Sequence, residues 1–220
     1  MTVKALLFGF VALLLAACST STNLLNEGEI AGLRIERVDI VYRPDAVIWW
    51  GKPEREYVEQ ELARRAAKPG APKKRAPSVT DASDSGQNAV SAEYNQIAES
   101  PEAKAYARDT LTKLVKQRVD KEIVPEFKGT RPVVLEITVF SFVIPSAAQR
   151  LVLGGTPMFL ALRVLKDAKT GAELGKLDQG SAAGAGQGIL GVAIEQAMPD
   201  LEDRLLAVFV TQTKNWLLKR

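Results

Sequence analysis

Pro132–Ile144 reads PVVLEITVFSFVI. Val133, Leu135, Ile137, Val139 and Val143 alternate onto one face; Val134, Glu136, Thr138 and Phe140 take the other. A period of two carried by β-branched and aromatic side chains predicts a strand. Pro145 stops it, because proline cannot donate to a sheet ladder. Met158–Leu165 (MFLALRVL) predicts a second strand, with residues 146–157 as the loop before it. Asp167-Ala168-Lys169-Thr170-Gly171 predicts a turn, with glycine where a positive φ is cheap. Ala172–Leu177 then returns antiparallel.

Upstream, Leu33–Tyr42 (LRIERVDIVY) predicts a further strand. Its apolar positions change from odd to even numbers near Arg37, which predicts a bulge or twist there. Pro44 and Asp45 are expected to end it, leaving Ala46–Trp50 (AVIWW) as a separate apolar block. Helical stretches are predicted from Pro53 to about Ala67, from Ser100-Pro101-Glu102 to about Val124, and from Pro199 onward. The second has a serine at its N-cap and proline at its first position, then apolar residues every three or four from Ala107 through Leu111, Leu114, Val115 and Val119 to Ile123. The third offers Leu201, Leu205, Val208, Phe209 and Trp216 as its core face, with acids in its first turn and Lys214, Lys219 and Arg220 toward its end. The order strand, helix, strand, strand, strand, helix implies an α+β fold. The expected form is a small, mostly antiparallel sheet of about four strands with two main helices packed on one face. A long crossover between the first two strands allows them to lie parallel.

Near the start, Lys4 precedes an uncharged run, Ala5–Ala17, that ends in Leu15-Ala16-Ala17-Cys18. The run suits the apolar region of a secretory signal and is too short to span a bilayer. Leu-Ala-Ala-Cys resembles the bacterial lipobox, which implies cleavage before Cys18 and a lipid on its sulfur. Cys18 is the only cysteine, so no partner exists within the chain for a disulfide. The expected organisation is a signal peptide at 1–17, a tether at 18–32 and one domain over 33–220. A segment rich in Pro, Lys, Ser and Gly, from about 68 to 98, reads as a disordered insertion. Ser19 after the cysteine resembles outer-membrane sorting and places the anchor on the periplasmic face.

Composition excludes several function classes. There is no histidine, so His-based triads, His-ligated zinc and imidazole acid–base chemistry are absent. The formal charge is +3, and loss of residues 1–17 removes Lys4 and leaves +2. Such balance argues against a nucleic-acid binder. Gly184-Ala185-Gly186-Gln187-Gly188 lacks the lysine and hydroxyl residue of a phosphate loop and reads as a hinge. Glu54, Glu56, Glu59 and Glu61 read as a solvated helix face, since nothing marks a converging pair. Lys73-Lys74-Arg75 reads as part of the polar insertion. No catalytic residue, metal ligand or cofactor site is expected. Trp49 and Trp50, and Arg150 with Leu151, are the candidate partner-binding residues, because exposed tryptophan and loop cations favour interfaces.

The segments Asp45–Pro53, Gly129–Glu136 and Asp167–Gly171 resemble an envelope lipoprotein family of rhodobacterial alphaproteobacteria, a domain of unknown function. The Asp-Ala-x-Thr-Gly hairpin is similar, more distantly, to other envelope lipoproteins of Gram-negative bacteria. The resemblance implies an α/β envelope domain and brings no activity with it. The expected function is therefore a lipid-anchored, non-enzymatic module. It is held to the membrane through Cys18 and docks on an envelope protein complex. The alternative is a carrier of lipid or another small ligand within a transport system.

Overall fold

A computed structural model of the chain describes residues 20–68, 92–145, 156–182 and 200–220. The chain divides into two compact units, Met1–Val47 with Val115–Arg220, and Ile48–Leu114.

The first unit is built on a mixed, mostly antiparallel sheet. Its strands are β1 (Thr20–Asn23), β2 (Leu33–Trp50, which runs on into the second unit), β3 (Arg131–Ile144), β4 (Met158–Asp167) and β5 (Glu173–Ala182). They lie in the order β1-β5-β4-β3-β2. The pairs β3/β4, β4/β5 and β1/β5 are antiparallel. At the other edge, Gly129 N–H donates to the Leu33 carbonyl at 2.7 Å and Arg131 N–H to the Gly32 carbonyl at 2.9 Å. Further along, the Arg43 guanidinium lies over the Phe140 ring, 5.2 Å from its centre. Start meets start and middle meets middle, so β2 and β3 run in the same direction. The long crossover between them is what makes this possible.

Along β3, Val133, Leu135, Ile137 and Val139 are fully buried, as alternation predicts. The register against β4 then shifts between Val139 and Ser141. The extra residue moves the inward position to Phe142, which is fully buried, in place of Val143. At the β4–β5 turn, Gly171 has φ +73°. Asp167 Oδ1 accepts the N–H groups of Lys169 and Thr170, both at 3.1 Å.

Three expectations are corrected here. Residues 20–31 form no tether. Thr20–Asn23 is the fifth strand, paired through the backbone, where polar side chains are no obstacle. Helix α1 (Glu27–Ala31) follows, closed by a capping box: Asn26 Oδ1 accepts Glu29 N–H at 2.9 Å, and Glu29 Oε2 accepts Asn26 N–H at 2.7 Å. Leu25 and Ile30 fix this segment by burial. Secondly, Pro44 does not end β2, because this is an edge strand, where proline is tolerated. Ala46–Trp50 is its continuation, not a separate block. Thirdly, the packing gives two units where one domain is expected from the sequence.

The second unit holds helix α2 (Gly51–Ala66), a helical stretch at 92–98 and the first part of helix α3 (Pro101–Glu122). Ser100 Oγ accepts Ala103 N–H at 3.2 Å, the predicted N-cap. Val58, Ile97, Ala103, Ala107 and Leu111 are buried, and the Tyr57 and Tyr106 rings lie 5.6 Å apart. Residues 92–98 are thus ordered helix, not part of an insertion. The rest of that expectation, at 69–91, lies outside the described residues.

Back in the first unit, helix α4 (Leu201–Leu218) packs on β4, β5 and β1. Its buried stripe is Leu205, Leu206, Phe209, Val210, Thr213, Trp216 and Leu217. Leu201 and Val208, expected on that stripe, are only half-buried. Phe159 joins the core through two aromatic neighbours, Phe142 at 5.3 Å edge-on and Phe209 at 4.5 Å.

Candidate functional site

The outer side of β2 is exposed along most of its length. Buried positions run Leu33 and Ile35, then Val38, so the inward phase slips across Glu36 and Arg37 as the sequence predicts. Beyond the slip the odd-numbered residues face outward: Arg37, Asp39, Val41, Arg43, Asp45 and Val47. Val41 is 43% and Val47 55% exposed. The charges between them pair along the strand. Arg37 Nε lies 2.8 Å from Asp39 Oδ1, and Arg43 holds Asp45 with two bonds of 2.8 Å. Among the described residues no strand lies beyond β2.

The predicted site residues fare differently. Trp49, in the second unit, is 43% exposed and can meet a partner. Trp50 is 3% exposed; strand alternation turns it inward, so it is withdrawn as a contact residue. Cys18, Arg150 and Leu151 lie outside the described residues, as do Lys73-Lys74-Arg75 and Gly184–Gly188.

Sequence reasoning missed a buried cation. Arg163 on β4 is fully buried, with its guanidinium 4.3 Å from the centre of the Phe209 ring. Its Nη2 donates to Ser181 Oγ at 3.4 Å, and Ser181 Oγ donates to Gln212 Oε1 at 2.5 Å. Desolvation pushes its pKa down to about 10, partly opposed by the charge of Asp178, so it stays a cation near neutrality. The position is legible only as the one charge inside MFLALRVL. The group sits in the sheet–helix interface.

Two carboxylates of α2 are shifted in opposite directions. Burial raises the Glu54 pKa. Glu61 is held down to about 2, chiefly by hydrogen bonds from Arg64 and Arg65. Among the described residues no group of three His, Cys, Asp or Glu side chains could hold a metal ion.

No family model matches the chain, and no curated protein matches it. Among solved structures it is similar to the PelC dodecamer of Paraburkholderia phytofirmans, in two crystal forms, one of a substituted variant. Each alignment has 13% identity and a TM-score of 0.32, and covers 92% of this chain and 96% of the other. A superposition that loose bears on neither fold nor function.

Proposed function

We propose that the chain is a lipid-anchored protein of the bacterial envelope, of the rhodobacterial lipoprotein kind, and that it works by docking rather than by catalysis. The observation that carries this reading is the spacing between the lipobox and the fold. Leu15-Ala16-Ala17-Cys18 is followed by β1 at Thr20. Two residues reach at most about 7 Å. A lipid on Cys18 therefore holds the β1 edge of the sheet against the bilayer, on the periplasmic face of the outer membrane. The β2 edge, four strands away in the same sheet, is then left for protein contacts. No helix among the described residues is long and apolar enough to cross a membrane. A carrier would need an open interior. The space between sheet and α4 is instead filled by Phe142, Phe159, Phe209, Leu205 and Leu206, all 1% exposed or less.

The test is metabolic labelling with a palmitate analogue, with membrane fractionation of the wild type and Cys18→Ser. The reading requires label on the wild type only, and release of the variant from the membrane. Crosslinking in native envelopes then identifies the docking partner. Recovery of labelled lipid inside delipidated protein would favour the carrier instead.

A further inference from the structure

The outward charges of β2 are ordered as a self-complementary set, and from that order we propose that two copies of this chain join edge to edge through Arg37–Asp45. The outward sequence is Arg37, Asp39, Val41, Arg43, Asp45, or plus, minus, neutral, plus, minus. When a second copy is laid antiparallel with Val41 opposite Val41, Arg37 meets Asp45 and Asp39 meets Arg43. The two-fold symmetry repeats both contacts, so all four charge pairs are opposite. A closed two-fold interface has this property of using one patch twice.

The backbone is placed for the same register. Side-chain face and hydrogen-bonding side alternate together along a strand of L-residues. Arg131 N–H at the start of β3 turns to Gly32, while the Pro132 carbonyl accepts Ala168 N–H on the other side, so the odd-numbered, core-facing residues of β3 turn their backbone toward β2. In β2, which runs the same way, the core-facing residues therefore turn their N–H and C=O groups to the open edge, and the outward-facing set, Asp39, Val41, Arg43 and Asp45, turns its own toward β3. Val41 opposite Val41 is then a non-hydrogen-bonded pair, and the even-numbered residues on either side of it supply the ladder, except for the N–H that Pro44 lacks.

Charges and a proline on an edge ordinarily guard against indiscriminate strand pairing. Here their order also selects a register. A slide of two residues sets Arg37 on Arg43 in one direction and Asp39 on Asp45 in the other. A longer slide that centres the axis on Pro44 keeps only two of the four opposite pairs. Parallel, in-register association puts every charge on its like. One occupant matches the whole charge order in register, and it is a second copy. This pairing is independent of the lipid reading, because it uses residues of β2 alone.

The experiment is disulfide trapping in the full chain. Opposed Cα atoms of a non-hydrogen-bonded antiparallel pair lie about 4.5 Å apart, within disulfide reach. Two differently tagged copies carrying Val41→Cys are co-expressed, and membranes are oxidised mildly and run on a non-reducing gel. Wild-type copies control for Cys18, and Lys116→Cys controls for random collision. A second version reverses all four charges: Arg37→Asp, Asp39→Arg, Arg43→Asp and Asp45→Arg. It keeps the pairs within each strand and those across its own dimer, but opposes like charges against the unreversed chain. The expected result is strong trapping of each version with itself. Mixed trapping should be weaker by about tenfold, from four like-charged cross-strand pairs. Trapping no stronger than Lys116→Cys overturns the proposal. So does mixed trapping equal to self-trapping, or a Val41→Cys bond that forms only with a Val47→Cys copy.

Discussion

Asn23 Nδ2 donates to the main-chain carbonyl of Trp216 at 3.1 Å, across 193 positions of sequence. Trp216 Nε1–H answers by donating to the carbonyl of Thr22, also at 3.1 Å. Within the helix the Trp216 carbonyl accepts only a long bond, from Lys219 N–H at 3.4 Å, and β1 supplies a shorter one. The four-residue edge strand is thereby stapled to the final helix as well as to β5.

This staple predicts a graded loss of stability. Trp216→Phe keeps most of the buried ring and loses the bond to Thr22, at about 1 kcal/mol. Trp216→Ala also opens a cavity, and should cost about 3–5 kcal/mol. Asn23→Ala should resemble Trp216→Phe. Urea denaturation measures the totals. Amide exchange should show Thr22 and Asn23 losing protection in Trp216→Phe before the central strands do.

Gly129 predicts the most damaging small substitution. A Cβ at this position would overlap the Gly32 carbonyl and stand 2.6 Å from the Leu33 nitrogen. These are backbone atoms at the β2–β3 junction and cannot step aside. Gly129→Ala should cost about 3 kcal/mol or more, since it forces two strand starts apart. At Gly51, by contrast, at the start of α2, an added methyl group would meet nothing within 4 Å. Gly51→Ala should be neutral or stabilise by about 0.5 kcal/mol through the unfolded chain. Matched thermal melts of the two variants check the contrast.

These contacts also show how much the sequence disclosed. Local patterns carried through: the slip at Arg37, the β3 alternation up to Val139, the Gly171 turn and the Ser100 cap each depend on near neighbours. What failed depended on distant ones. Thr20–Asn23 has no strand pattern of its own and becomes a strand because β5 offers it a ladder. Pro44 reads as a breaker until β2 is known to be an edge. The change from Val143 to Phe142 follows a register shift that β4 imposes. For the candidate site, alternation through Trp49 and Trp50 indicates that one faces in, but only burial shows that it is Trp50. The charge order of β2 stood in the sequence throughout. That these residues share one outer face follows from the burial along the strand.

Arg163 allows a test of what a buried cation contributes. It meets the Phe209 ring and Ser181 within an interface otherwise lined by apolar side chains. Replacing a buried charge by an apolar residue of similar length is often neutral or stabilising, whereas truncation leaves a void. Arg163→Met should change stability by less than about 1 kcal/mol, and Arg163→Ala should lose about 2–4 kcal/mol. Equal, large losses in both would show that the guanidinium itself holds the interface together. Chemical denaturation of the two variants decides between these outcomes.

Asp167 predicts the acid response of the β4–β5 turn. Its pKa is lowered from 3.8 to about 2, first by the Thr170 backbone N–H and then by the Arg131 side chain. Arg131 Nη2 lies 3.0 Å from Asp167 Oδ2. The folded carboxyl holds its proton more weakly than the unfolded one. Between these two values the unfolded state binds more protons, so stability falls as pH falls. The contribution of Asp167 is fully present above about pH 4 and lost by about pH 2. Asp167→Asn keeps an oxygen for the turn but has no proton to gain. Its unfolding free energy should start lower than that of the wild type at neutral pH, and the gap should close as pH drops through this window. A gap that stays constant from about pH 5 to about pH 2 would mean that the carboxylate charge does not stabilise the turn.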